Sequence, residues 1–302
     1  MTFNKIFILG AGAVGSSFGA ALSRSYDVTL IGGKAHVEAV NSKGLSVSGD
    51  IDGTFHLKAD TEIRSIPEKT LGILTTKVQD SARAIEGIKN LLRKDTVILI
   101  LQNGIGNEEI VRHAAGKEVK ILRGVLKVAA EFLEPGVVKF WSGRTIIGQG
   151  ETAEEIVEML NNCGLDAKLS ENIDRDVWNK LVVNCVVNPL TAILRVTDGA
   201  IVVDPLKKTR IEVVRECIAV AEAEGVILAA DLAERIDRTV AGYKNFSSMY
   251  QDITKRKKTE IDYLNGRIVE LGKKHGIPTP VNETLVGLIR FLEGNDGVSG
   301  KD

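Results

Sequence analysis

The sequence predicts an α/β fold, with a doubly wound, mostly parallel sheet in the N-terminal half and an all-α C-terminal half. Three observations predict it. Short apolar strands alternate with helical patterns at the start of the chain, a glycine-rich turn directly follows the first strand, and beyond residue 168 the apolar spacing becomes helical to the end. Residues 5–9, 28–31, 72–75 and 97–101 read as buried strands, with helices over 14–23 and 35–43 and helical segments after the later two. Strands apolar on both faces need helices on both sides, which is how a parallel sheet is covered. From residue 121 to 147 the texture changes. Residues 125–133, 137–141 and 145–147 read as short strands joined at Glu134-Pro135-Gly136 and Ser142-Gly143, and are expected to extend the sheet in antiparallel fashion. A helix over 153–162 precedes the helical half, where 174–194, 205–224, 232–243, 260–275 and 282–292 carry helix-period apolar positions. Gly276 and Pro278 stop the fourth of these. The tail from 293 to 302 is polar, glycine-rich and expected to be disordered.

Composition narrows the function classes. The chain has 302 residues, 44% hydrophobic and 26% charged, as in an ordinary globular protein. A net charge of −1 gives no field that would favour nucleic acid or an acidic membrane. The basic run Lys255-Arg256-Lys257-Lys258 is flanked by Asp252 and Glu260 and reads as a solvated face. Cys163, Cys185 and Cys217 lack metal-ligand spacing and read as buried free thiols in a reducing compartment. No uninterrupted apolar run reaches the roughly 18 residues of a membrane span, and no signal peptide is evident. A cytoplasmic protein without membrane or nucleic-acid partners is expected.

The glycine turn is Gly10-Ala11-Gly12-Ala13-Val14-Gly15, a GxGxxG match that follows a strand and opens a helix. Gly10 permits the tight turn, Gly12 lets backbone approach a pyrophosphate, and Gly15 lets helix and strand pack closely. The helix start offers unpaired N–H groups to phosphates. This is the Rossmann-type dinucleotide fingerprint, against the plainer reading of a turn with no ligand. An NAD site usually has Asp or Glu at the end of the second strand. Here that strand runs into Gly32-Gly33-Lys34, so NADP(H) is favoured over NAD(H), with Lys34 toward the 2′-phosphate. The plainer reading of Lys34 is a solvated lysine. Two more loops, Thr75-Thr76-Lys77 and Gln102-Asn103-Gly104, follow strand ends where open α/β sheets bind ligands.

In the helical half, Lys180, Asn184 and Asn188 recur at i, i+4 and i+8 in a segment otherwise rich in Val, Leu and Cys. The stripe is either the helix's one wet face or the wall of a binding site. Buried without partners, such groups would cost about 1–3 kcal/mol each, which argues against an idle stripe if the face is covered. Pro189 removes the N–H that would pair with the carbonyl of Cys185.

With these motifs in order, the chain resembles the ketopantoate reductase (2-dehydropantoate 2-reductase) family from Gly10 to about Pro280. The resemblance is carried by GAGAVG, the Lys77 loop, Gln102-Asn103-Gly104, and the block from Asn179 to Ala192. It continues through Ser247-Ser248-Met249 with Gln251-Asp252, then Thr259-Glu260-Ile261-Asp262-Tyr263-Leu264-Asn265-Gly266. It implies residues 1–168 as a dinucleotide-binding domain and 169–302 as a helical substrate-binding domain, with the cleft closing between them. It further implies Lys180 as general acid and Glu260 as an orienting carboxylate. Asn184, Asn188, Asn245, Ser248 and Asn103 would bind substrate. Gly10, Ala11, Gly12, Ala13, Val14, Gly15, Lys34, Lys77 and Asn103 would bind cofactor, and no metal is implied. The substrate would be a small 2-oxo acid, with any homodimer contact on the helical half. Two departures stand out. Family members that use NADP often carry arginine where this chain has Gly32-Gly33-Lys34, and some carry asparagine where it has Asp198. The competing readings are a reductase of another 2-oxo acid and a non-catalytic NADP-binding sensor.

Overall fold

Residues 3–116 and 118–294 are described by the computed structural model. The chain divides into two compact units, Met1–Asp176 and Val177–Asp302. The first is built on an eight-stranded sheet. β1 (Lys5–Leu9), α1 (Ala13–Leu22), β2 (Val28–Ile31) and α2 (Lys34–Lys43) open it as a βαβα run. β3 (Leu45–Gly49), β4 (Gly53–Phe55), β5 (Lys58–Asp60), β6 (Thr70–Leu74), α3 (Ser81–Glu86), β7 (Val97–Ile100) and α4 (Asn107–Ala115) follow. β8 (Lys120–Leu126), β9 (Ala129–Glu134), β10 (Val137–Trp141), β11 (Thr145–Ile147), α5 (Ala153–Asn162) and β12 (Ala167–Leu169) complete the unit.

The large sheet runs β12-β11-β8-β7-β6-β1-β2-β5. From β8 to β5 every pairing is parallel, while β11 joins β8 antiparallel. β1, β6 and β7 are buried at every position, as a sheet covered on both faces requires. Alternation sorts their side chains: Ile6 and Ile8 join Phe18 and Phe140 on one face, and Phe7 and Leu9 join Ile85, Ile98 and Val111 on the other. The expected antiparallel extension from 125 to 147 is corrected in part. Lys120–Leu126 is a sixth parallel strand, in register with β7 from Val97↔Lys120 to Ile100↔Arg123. β9 and β10 leave the large sheet for a second one, of order β4-β3-β10-β9, which packs on α1 through the edge-on pair Phe18–Phe140. Within the large sheet, β11 and β12 run against the direction of the other six strands.

The second unit is helical: α6 (Ile173–Leu194, which begins in the first unit), α7 (Asp204–Ala223), α8 (Leu232–Val240), α9 (Ser248–Thr254), α10 (Asn265–His275) and α11 (Pro280–Gly294). α6 is long and apolar enough to cross a membrane by composition, yet 72% of its apolar window is buried inside the protein. Leu181, Val182, Cys185, Val186 and Leu190 are each no more than 5% exposed. Burial of each such side chain contributes roughly 1.5–3 kcal/mol. The expected single helix over 260–275 is a short 3₁₀ turn, Ile261–Tyr263, followed by α10. Residues 295–302 of the expected disordered tail lie outside the described residues, and Glu293 and Gly294 are the last residues of α11.

Candidate active site

In the first unit the strand order reverses direction at β1, with β6 on one side and β2 on the other. That is where an open α/β sheet binds ligands, beyond the carboxyl ends of the strands. The loop after β1 holds the glycines. Gly10 has φ +108°, and a Cβ there would overlap the backbone of Thr75 and Thr76. A Cβ on Gly15 would collide with the Gly10 carbonyl and the Thr75 hydroxyl. Gly12 differs, because a Cβ there would meet nothing within 4 Å. Gly12 is the N-cap of α1, which has no side-chain cap and no acidic residue in its first turn. The N–H groups of that turn face a site with room and a positive dipole end, which fits a pyrophosphate.

Hydrogen bonds join the three strand-end loops. The Thr75 hydroxyl donates to the Gly10 carbonyl at 2.9 Å. Gln102, 6% exposed, donates from its amide to the Thr76 carbonyl (2.7 Å) and to the hydroxyls of Thr76 (3.0 Å) and Ser81 (2.6 Å). Lys77, half-buried, follows directly on Thr76. Asn103 is half-buried, and its backbone carbonyl accepts from the Asn107 amide at 2.7 Å. The end of β2 reaches the same place, since a Cβ on Gly32 would press on Ala11. Lys34 is the first residue of α2, exposed, and 3.8 Å from Glu38.

In the second unit α6 carries the polar stripe. Asn184 and Asn188 are buried, at 6% and 7% exposure, and Lys180 is half-buried. The amide nitrogen of Asn184 is buried with no hydrogen-bond partner. Asp198, 7% exposed, sits in the field of Lys180. Its carboxylate accepts from the Asn245 amide at 2.6 Å, and its N–H donates to the Asn245 carbonyl at 2.9 Å. Burial pushes the Asp198 carboxyl up to about 6, partly offset by Asn245, the Lys180 charge and the Ser247 N–H. The Ser247 hydroxyl caps α9 by accepting from the Tyr250 N–H (3.1 Å) and lies 2.7 Å from that of Thr191 on α6. That contact fixes Asn245 and the exposed Ser248 near the C-terminal half of α6. Glu260 is half-buried just before the 3₁₀ turn, and Thr259 beside it accepts from the Ile261 N–H at 3.2 Å.

Sequence reading passed over Gln102, Asn107, Arg123, Thr191, Ser247 and Asn265. Of these, Gln102, Thr191, Ser247 and Asn265 carried a signal, each lying in a quoted motif. The buried Arg123 carried none, because a polar residue inside an apolar strand looks the same whether it faces solvent or the core.

The family described as "Ketopantoate reductase PanE/ApbA" matches residues 6–152, and its C-terminal counterpart matches residues 172–293. A protein of Pyrococcus horikoshii named 2-dehydropantoate 2-reductase is 39% identical, over 98% of this chain and 99% of its own. One of the same name from Streptococcus pyogenes is 31% identical over 95% and 97%. Among solved structures, a PanE/ApbA family ketopantoate reductase from Ralstonia eutropha superposes with TM-score 0.90 at 33% identity, covering 96% of this chain and 98% of that one. D-mandelate dehydrogenase, solved with NADH and anilino(oxo)acetate, superposes with TM-score 0.89 at 31% identity over the same shares. Two half-chain family matches and full-length relatives, on a fold whose strand ends and α6 carry the expected residues, make the chain a member of the ketopantoate reductase family.

Proposed function

We propose that the protein reduces ketopantoate to pantoate, for pantothenate and coenzyme A synthesis in the cytoplasm, using NADP(H) in preference to NAD(H). Residues 1–168 hold the dinucleotide in this reading and residues 169–302 bind the 2-oxo acid. The observation that carries it is the polar row on α6: half-buried Lys180 with buried Asn184 and Asn188 in an apolar helix, the Asn184 amide nitrogen unpartnered. An unpartnered buried donor is costly unless a ligand takes it.

The N–H groups of the first turn of α1 would hold the pyrophosphate, and Lys77 and Asn103 would contact the rest of the dinucleotide, which when bound would supply the hydride. Asn184, Asn188, Asn245 and Ser248 orient the carboxylate and hydroxyl of the oxo acid. Lys180 gives its proton to the C2 oxygen as negative charge develops there, and its own charge stabilises that oxygen. The Lys180 charge in turn favours the ionised Asp198 carboxylate, against the rise that burial causes. Glu260 orients the nascent hydroxyl. The NADP preference rests on Gly32 and Gly33, which leave no carboxylate at the end of β2, and on Lys34 beside them. The carboxylate of the neighbouring strand, Asp60, is occupied by the Thr61 N–H (2.7 Å) and Arg64 (3.2 Å).

The test is loss of reduced-nicotinamide absorbance with a panel of 2-oxo acids, NADPH and NADH side by side. Ketopantoate with NADPH should give the highest kcat/KM. Lys180→Ala should lower kcat about 10²–10⁴-fold in folded protein. Undiminished turnover would remove Lys180 from the mechanism, and a better aromatic substrate would move the assignment toward the mandelate dehydrogenase side of the family.

A further inference from the structure

We infer that Arg123 is a positioning residue that sets the conformation of the Asn103-Gly104 loop. The inference rests on the reading that Asn103 contacts ligand. Arg123 lies in β8, opposite Ile100 of β7, and is 6% exposed. A cation inside a parallel sheet loses its hydration, and an aliphatic side chain would fill the space at less cost. Burial accordingly pulls the guanidinium below its ordinary value, opposed by the charge of Glu108. Nothing about the sheet calls for that charge, so its use lies in what the guanidinium holds.

It holds the end of β7. One nitrogen donates to the Gly104 carbonyl at 2.8 Å and another to the Ile100 carbonyl at 3.3 Å. Nε lies 3.4 Å from the Glu108 carboxylate, in the first turn of α4. The loop between strand and helix has an unusual backbone, with Gly104 at φ +84° and Gly106 at φ +83°. Two left-handed residues bracketing one ordinary one turn successive carbonyls in different directions, and no ladder partner is available to them. Arg123 takes the Gly104 carbonyl, and Asn107, fully buried, takes that of Asn103 at 2.7 Å. With both carbonyls tied to the protein, the Asn103 side chain is carried on a fixed backbone. The Asn103 side chain is half-buried, and in this reading its amide meets the ligand. The planar guanidinium donates to two carbonyls at once while its charge lies beside the Glu108 carboxylate, which the single ammonium of lysine cannot do in that geometry.

Arg123→Lys, Asn103→Ala and the double variant should be compared with the parent protein. Three readouts are needed: amide hydrogen exchange of residues 102–107 without ligand, the Kd for NADPH by fluorescence, and kcat/KM for ketopantoate. In Arg123→Lys we expect faster exchange confined to that loop. We also expect a roughly 10–100-fold loss of kcat/KM, the scale of a small misplacement of a contacting group. The double variant should be no worse than the poorer single one, because both changes remove one interaction. Unchanged exchange at the loop, or losses that multiply, would overturn the inference while leaving the role of Asn103 intact. A silent Asn103→Ala would instead overturn the reading of Asn103 itself. If Arg123→Lys fails to fold, Asn107→Ala releases the other carbonyl of the same loop and should give the same pattern.

Discussion

Gly10, Gly12 and Gly15 share one motif but answer different constraints. Gly10 and Gly15 have no room for a Cβ, since protein atoms already fill the position. Gly12 has room, and only a ligand would object. Substitution should separate the two. Gly10→Ala should lower stability by roughly 1–3 kcal/mol, from overlap with the Thr75–Thr76 backbone and a left-handed φ. Thermal unfolding checks it. Gly12→Ala should unfold at nearly the parental temperature yet raise the KM for the reduced nicotinamide cofactor about tenfold or more, because under the proposed reading its methyl group would stand where the pyrophosphate approaches. An unaltered KM would move the phosphates elsewhere. The motif was legible in sequence because its spacing is a backbone requirement. What each glycine touches was not, for Thr75 and Thr76 arrive from β6, more than sixty positions along the chain.

At the scale of the element, α6 shows how one residue's defect is repaired by another helix. Pro189 leaves the Cys185 carbonyl without its helical donor. Asn265, the first residue of α10, donates its amide to that carbonyl at 2.9 Å and to the Asn282 side-chain oxygen at 2.9 Å. Asn282 in turn donates to Glu216 at 2.7 Å, and Glu216 also accepts the N–H groups of Val281 and Asn282 at 2.9 Å. This buried chain ties α6, α7, α10 and α11 together. Asn265→Ala leaves the buried Cys185 carbonyl unmet, at roughly 1–3 kcal/mol, and the Asn282 oxygen with only the weak Cys217 thiol donor at 3.9 Å, and should lower Tm by several degrees. Pro189→Ala restores the missing N–H, so the double variant should be more stable than the two losses added together. Additive losses in thermal unfolding would show that the carbonyl is not the shared element. The gap at Cys185 could be read from the sequence. Its repair could not, since the donor lies 80 positions away.

Across the whole molecule, His36 links elements that local sequence keeps apart. It is buried in α2, its Nδ1 accepts from the Gly136 N–H at 3.0 Å, and its Nε2 therefore carries the proton and donates to the Ser16 hydroxyl at 3.0 Å. One neutral ring thus joins α1, α2 and the β9–β10 turn of the second sheet. Burial holds its pKa below the ordinary value. In that window the unfolded chain binds more protons than the folded one. The contribution is complete above about pH 6.5 and is lost as pH falls below it. Asp198, pushed up to about 6, acts in the opposite sense: its contribution is greatest at low pH and is lost as pH rises toward that value. The difference between the parent protein and His36→Gln isolates the first effect. Between pH 7.5 and 5.5 the parent should lose more stability than the variant, seen as a larger fall in Tm, by about 1 kcal/mol, the order of one hydrogen bond. Parallel pH curves would separate His36 from the acid sensitivity.

The sequence by itself determined β1, β2, β6 and β7 with the helices α1 and α2, the glycine turn, the helical second half and the row Lys180, Asn184, Asn188, while β3, β4 and β5 went unread. Each feature it determined is a local periodicity or a backbone requirement, written within a few residues of where it acts. The tertiary structure decided that β9 and β10 pair with β3 and β4 instead of extending the large sheet, that Lys120–Leu126 runs parallel to β7, and that Arg123 and Asn265 face inward. Pairing and burial depend on partners distant in the chain, and no local pattern encodes which distant partner will satisfy a buried polar group.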